Sequence, residues 1–181
     1  MTGGGSMMCA TDLRIVLADT AEERRKPWPL IQAEGLDKVL VAHRLHPHVV
    51  DWLDIVNPAH ALLLTGYDMR TGEMCACSYV SPMMGKSGNV HCCIFRQWRR
   101  DADMLGRCAL DYFFSHWDFA SLLGVTPRPF RHVRRLAHGW GFADGATVPG
   151  MLHMPRPNDL NHCEDAVISV LTRDAFQQQG V

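Results

Sequence analysis

The chain is poor in the features that mark most specialised classes of protein. No apolar run approaches the roughly 20 residues that a membrane-spanning helix requires, so no membrane partner is predicted. The opening run Met1-Thr2-Gly3-Gly4-Gly5-Ser6 has neither a basic start nor an apolar segment, and does not read as a secretory signal. Charge of one sign is scarce as well. Lys and Arg total 18 against 19 Asp and Glu, a net charge of -1, which leaves no global field to attract DNA or an anionic surface. Nucleic-acid binding is therefore not favoured. The 7 cysteines contain no C-x2-C pair: Cys75 and Cys77 form C-x-C, Cys92 and Cys93 are adjacent, and the others are scattered. The spacing of a structural zinc site is missing. An odd count without a secretory signal also argues against a disulfide framework, so the cysteines read as small core hydrophobes. His43, His46 and His48 have no nearby carboxylate or cysteine to complete a metal site, and none is expected.

What remains is the composition of an ordinary folded domain. At 181 residues, 47% hydrophobic and 20% charged, the chain fits one domain with a real core. Residues 12–176 are read as that domain, 1–11 as a flexible lead-in and 177–181 as a loose tail. Residues 12–19 alternate well enough for a first strand. Residues 21–26 form a charged helical turn, after which Pro27 and Pro29 interrupt any regular helix. Residues 36–43 stay open between strand and helix. A helix is predicted from His46-Pro47-His48 through Val49, Trp52, Leu53 and Val56. Residues 61–67 and 74–80 are two strands with Thr71-Gly72 in the turn between them, and 82–88 is a loop.

The most informative stretch is 90–142. The apolar strand Val90-His91-Cys92-Cys93-Ile94-Phe95 leads through a charged loop, 96–101, into an amphipathic helix. Met104, Leu105, Cys108, Ala109, Tyr112, Phe113 and Trp117 give that helix one wide apolar face. Asp101 and Asp103 stand in its first turn, where acids suit the helix dipole. A second apolar run, 119–125, is followed by Thr126-Pro127-Arg128-Pro129 and another helix. That helix turns Phe130, Val133, Leu136, Ala137 and Trp140 to the core, and leaves Arg131, Arg134, Arg135 and His138 for solvent or ligand. Gly141 supplies the backbone freedom of a helix end. A strand to Met154, a Pro-rich turn and a last strand, 166–171, complete the chain. The order predicts an α+β fold: one mixed, mostly antiparallel sheet with helices on both faces.

On these residues the chain resembles the GNAT superfamily of N-acetyltransferases over 12–176. It looks closest to the small, divergent acetyltransferase-like proteins of bacteriophage and prophage genomes. Three features carry the resemblance: strand and loop at 91–103, helix and Gly-Phe at 129–142, and Leu171-Thr172-Arg173-Asp174. It implies a GNAT-like acyl-CoA N-acyltransferase fold with a twisted central sheet. It implies transfer of an acetyl group from acetyl-CoA, the co-substrate, to an amine of an unread small-molecule or protein acceptor. In that family a loop of pattern Q/R-x-x-G-x-G/A wraps the pyrophosphate, where free N–H groups and the helix dipole favour phosphate. The overlay here is Gln97-Trp98-Arg99-Arg100-Asp101-Ala102. Gln97 and Ala102 match, and Arg100 replaces the central glycine with a guanidinium that can pair with phosphate. The implied cofactor contacts are Ile94, Phe95, Gln97, Arg99, Arg100, Asp101, Ala102 and Asp103, with Phe130 at the family's usual asparagine. The tyrosine that often protonates the leaving thiolate falls on Ala137; His138 is adjacent but rotated by about 100°.

The chemistry then needs a base and a polarised carbonyl. His91 is the leading base, because histidine titrates near neutrality, and Glu73 is the second. Backbone N–H groups near Ile94 and Phe95 would polarise the thioester carbonyl. Blander readings stand beside these. His91 also fits a packed sheet residue, and Arg128, Arg131, Arg134 and Arg135 also fit a solvated helix face. The whole chain also fits a GNAT-shaped protein that has lost catalysis and serves a structural or interaction role, as in a phage particle. The expected location is the cytoplasm, or a virion in that second case, and a homodimer is left open.

Overall fold

The computed structural model describes residues 7–9 and 12–179. Of the lead-in read at 1–11 and the tail read at 177–181, residues 1–6, 10, 11, 180 and 181 lie outside the described residues. The strands are β1 (Met7–Cys9), β2 (Leu13–Leu17), β3 (Leu62–Asp68), β4 (Met74–Met84), β5 (Ser87–Ile94), β6 (Ser121–Pro127), β7 (Ala143–His153) and β8 (Cys163–Thr172). Four short helices join β2 to β3: α1 (Ala21–Arg25), α2 (Trp28–Ala33), α3 (Asp37–Leu40) and α4 (Val49–Ile55). A 3-10 helix (Arg96–Asp101) runs directly into α5 (Ala102–His116) between β5 and β6. Two more, α6 (Arg131–Gly139) and α7 (Arg173–Gln178), follow β6 and β8.

The strands form one sheet in the order β1-β2-β3-β4-β5-β6-β8-β7. Every neighbouring pair is antiparallel except β5 and β6, which are parallel. This is the mixed, mostly antiparallel sheet that the element order predicts. Its central strands are covered on both faces, which is why β3 and β4 read as nearly continuous apolar runs. Trp28, Ile31, Trp52 and Val56 of the α1–α4 layer pack with Leu63, Cys77, Tyr79, Cys93 and Phe95 on one face. Leu105, Cys108, Ala109, Tyr112 and Phe113 of α5 pack with Leu64, Ala76, Val80 and Val90 on the other. Cys75, Cys77 and Cys93 are buried free thiols, as core cysteines should be, whereas Cys108 is disulfide-bonded.

Several local expectations are corrected. α1 ends at Arg25 before Pro27, as expected, but Pro27 and Pro29 also start a new helix: they occupy the N-cap and first turn of α2, where missing N–H groups cost nothing. The loop at 82–88 is a strand hairpin instead, since β4 runs to Met84 and β5 begins at Ser87. The charged loop 96–101 is helical. On α6, Val133 is exposed rather than in the core, while Leu136 and Ala137 are half-buried against it. The last strand continues into α7, capped by the Thr172 hydroxyl, which accepts the N–H of Ala175 at 3.1 Å. The first paired strand, Met7–Cys9, lies inside the segment read as a lead-in.

α5 and α6 meet at one close contact. A Cβ on Gly106 would stand 2.0 Å from the Trp140 ring, so only glycine lets the indole lie against α5. The indole N–H donates to the Asp103 carbonyl at 3.2 Å. At the other end of α5, Arg173 donates to the carbonyls of Phe114, Trp117 and Phe119, which closes the helix end onto β8.

Candidate active site

The sheet opens between β5 and β6. Their parallel pairing covers only Ser87↔Ser121, Gly88↔Leu122 and Asn89↔Leu123. Past Asn89, β5 stays paired with β4 through Ile94, and β6 stays paired with β8 through Pro127, so the two strands part like the arms of a V. Alternation decides which groups face the gap. Phe95 N–H donates to Cys75 on the β4 side at 3.0 Å, and Lys86 C=O faces the β6 side, accepting from Ala120 at 2.7 Å. Along β5, His91, Cys93 and Phe95 therefore bond toward β4. The Val90 N–H belongs to the last β5–β6 pair, Asn89↔Leu123, while its C=O and the N–H and C=O groups of Cys92 and Ile94 face the cleft. By the same parity Val125 faces the cleft from β6, since Arg128 N–H and Ala120 C=O both bond to the β8 side. Such a pair of strand edges has hydrogen-bonding capacity that a ligand with amide groups can fill.

This settles the two backbone positions differently. Ile94 faces the cleft. Phe95 does not: its N–H is engaged by Cys75, and its ring is buried under the α1–α4 layer. Cys92 is the donor that the sequence reading missed, and the strand parity that exposes it needs the pairing partner to be known.

His91 points to the α1–α4 face, pairs with Tyr79 across β4, and stacks on its ring at 4.5 Å between centroids. Burial pushes its pKa down to about 4, partly opposed by a hydrogen bond with the Ser81 backbone. The imidazole is thus neutral at physiological pH, a hydrogen-bond acceptor and a weak base. Glu73 is not beside it. It stands next to β4, six residues from Tyr79, roughly 20 Å away at strand spacing. There its carboxylate accepts from the Gln97 side chain at 3.1 Å. The two candidate bases therefore belong to different ends of the strand. Nor is a thiol available as a nucleophile in the cleft: burial raises Cys92 to about 11.

The phosphate end differs from a glycine-rich loop. In the 3-10 helix, N–H groups bond three residues back, which consumes donors that an open loop would leave free. Trp98 N–H bonds to Phe95 C=O at 2.8 Å. Arg96 N–H is taken by Glu34, whose carboxylate lies 2.6 Å away at the end of α2 and also pairs with Arg99 at 3.3 Å. Arg100 is exposed, with no ion pair among the described residues. Asp103 pairs with Arg107, which also bonds to the Gly139 carbonyl, so it fastens α5 to α6 rather than lining a ligand site. Asp101 lines a cavity of about 140 Å³ with Asp12, Asp68, Arg70 and Trp98, beside β2 and β3. Ala102 begins α5 and brings no polar side chain.

Phe130 precedes α6 at the far end of β6; its N–H donates to Pro127 at 2.9 Å and its ring stacks on His132. His138 is committed elsewhere. His138, Arg134 and the Ser169 hydroxyl all donate to Asp144, at 2.9, 2.6 and 2.7 Å respectively. These bonds hold the Asp144 carboxyl well below the ordinary carboxylate range, and they pin α6 to β7 and β8.

The architecture is that of the GNAT-like acyl-CoA N-acyltransferases. The chain matches spermidine N-acetyltransferase SpeG from Vibrio cholerae in complex with CoA and spermine, with TM-score 0.71 and 11% identity over 92% of this chain and 98% of that one. It matches ribosomal-protein-S5-alanine acetyltransferase from Vibrio fischeri with TM-score 0.67 and 9% identity, over 95% and 98% of the two chains. No family model and no curated protein matches the chain. At these identities the likeness establishes the fold alone.

Proposed function

We propose that the chain is an N-acyltransferase that takes an acetyl group from acetyl-CoA in the cleft between β5 and β6 and delivers it to an amine. One observation carries this reading: the sheet opens after Asn89 and Leu123 and leaves Cys92 and Ile94 with outward backbone groups. A pantetheine arm, extended and bearing amides, fits that edge as a strand would. Bound there, a thioester would supply an activated acyl group, and N–H groups of β5 would hold its carbonyl. Transfer forms an amide C–N bond, breaks a C–S bond, and releases the amine's proton.

On this reading His91 accepts a hydrogen bond from the incoming amine or from a water that carries its proton away. With a pKa of about 4 it is too weak to strip an ammonium ion, so the acceptor must arrive as the neutral amine. No tyrosine stands on α6, and His138 is held by Asp144. The thiolate then leaves without a side-chain acid from that helix, and positioning supplies most of the rate.

The reading is tested by calorimetric titration with acetyl-CoA, followed by thiol release in the presence of small amines. Micromolar binding that is lost when Gly88–Asn89 pairing is kept but Cys92 is replaced by Pro supports it. No binding at millimolar acetyl-CoA overturns it. That outcome favours the second reading, a GNAT-shaped scaffold without catalysis, to which Ala137 at the usual acid position and the Glu34 contact already lend support.

A further inference from the structure

We infer that Glu34 is a specificity-determining residue, which selects thioester donors by charge and disfavours those with several phosphates. The inference rests on the cleft being the donor site. Glu34 is the C-cap of α2 and is held firmly. Gly35 follows with φ +68°, its N–H bonds to Gln32 at 3.0 Å, and Leu36 N–H bonds to Ile31 at 2.9 Å, the paired bonds of a Schellman ending. From that fixed point the carboxylate crosses to a segment more than sixty residues away in sequence. One oxygen accepts Arg96 N–H at 2.6 Å and the other accepts the Arg99 guanidinium at 3.3 Å. The Glu34 side chain is only 16% exposed, against 53% for Arg99, so the anion sits under the cation rather than in solvent.

The contact has a direct consequence for an incoming phosphate. A backbone donor and a guanidinium at the end of β5 already serve a carboxylate of the protein itself. A diphosphate reaching this end of the cleft must displace Glu34 or lie against its charge. Gln97 is turned to Glu73 and Asp101 adds negative charge nearby, so only the exposed Arg96 and Arg100 guanidiniums oppose Glu34. Pantetheine, without phosphate, meets none of this opposition. Glu34 therefore opposes donor binding in proportion to donor charge, and the exposed Arg96 and Arg100 guanidiniums are left as the cations able to receive a phosphate.

The test compares coenzyme A, 4′-phosphopantetheine and pantetheine on the full chain and on Glu34→Gln by calorimetry at low salt. Glutamine keeps a carbonyl for Arg96 N–H but removes the charge. The expected result is a gain of about tenfold for coenzyme A, a smaller gain for 4′-phosphopantetheine and no change for pantetheine. Raising the ionic strength should shrink the coenzyme A gain. An equal change for all three, or weaker coenzyme A binding, overturns the inference and makes Glu34 a support of the site. Pantetheine binding with no Glu34→Gln effect sinks the inference alone. Failure of every ligand on both proteins sinks the proposed function with it. If Glu34→Gln does not fold, Glu34→Asp, whose shorter side chain withdraws the charge, serves with the same ordering of gains.

Discussion

His91 shows how far one residue's environment can change its chemistry. A histidine on a strand reads as a near-neutral base, but under the α1–α4 layer desolvation lowers it to about 4 from an ordinary 6.5. Between those values the unfolded chain binds the proton and the folded chain does not, so stability rises with pH across that window. Acidification from pH 7 to pH 4 should cost on the order of 3 kcal/mol through this residue. Replacing it with phenylalanine, which keeps the stack on Tyr79, should remove that part of the slope in denaturant melts. The same shift bears on catalysis: the pH–rate profile should show no histidine inflection between pH 5 and 8, and should rise with deprotonation of the acceptor amine. An inflection near 6.5 that vanishes in His91→Phe would contradict the assigned environment. Arg24 is the structural counterpart. It is 4% exposed, and its guanidinium donates to the carbonyls of Val56 and Ala61. Arg24→Met should cost about 2–4 kcal/mol by stranding both carbonyls, read as a lower urea midpoint.

At the scale of elements, packing decides more than propensity. The α5–α6 contact exists because Gly106 lets the Trp140 indole approach. Gly106→Ala should cost about 1–3 kcal/mol by overpacking, although alanine favours helix, and a thermal melt checks the sign. Asp144 makes a second test, because its pKa is lowered by bonds from His138, Ser169 and Arg134. A lowered carboxylate stabilises above its unfolded value, and the benefit is lost as the pH falls through that range. Asp144→Asn should therefore lower the melting temperature at pH 7, with the gap closing below the ordinary aspartate value of 3.8. Element by element, legibility follows the same physics. α5 was readable because its apolar face repeats along the whole helix. The order from β3 to β8 was readable from apolar runs and turns. The 3-10 helix was not, since Arg96–Asp101 has no apolar period and is held by Glu34 and Glu73 from other parts of the chain. Glu34 itself carried no local signal, because its partners are set only by the folded approach of α2 to β5.

Across the whole molecule, the decisive feature is that one sheet contains two differently paired halves. β1 to β5 form one, β6 to β8 the other, and three residue pairs join them before the strands diverge. The sequence reading placed a strand and a polar segment here but could not show the divergence, which depends on where each strand finds its partner. It leads to a pattern in hydrogen exchange that no uniform sheet would give. The N–H groups of His91, Cys93 and Phe95 bond to β4 and should exchange slowly. Those of Cys92 and Ile94 face the cleft and should exchange at least tenfold faster in the free protein, residue by residue along the same strand. Adding acetyl-CoA at millimolar concentration should slow the second set and leave the first unchanged, because only the cleft-facing groups gain partners. Slow exchange of both sets without ligand would mean that the cleft edges are already satisfied. The opening would then be no donor site, however closely the rest of the fold follows the acyltransferases.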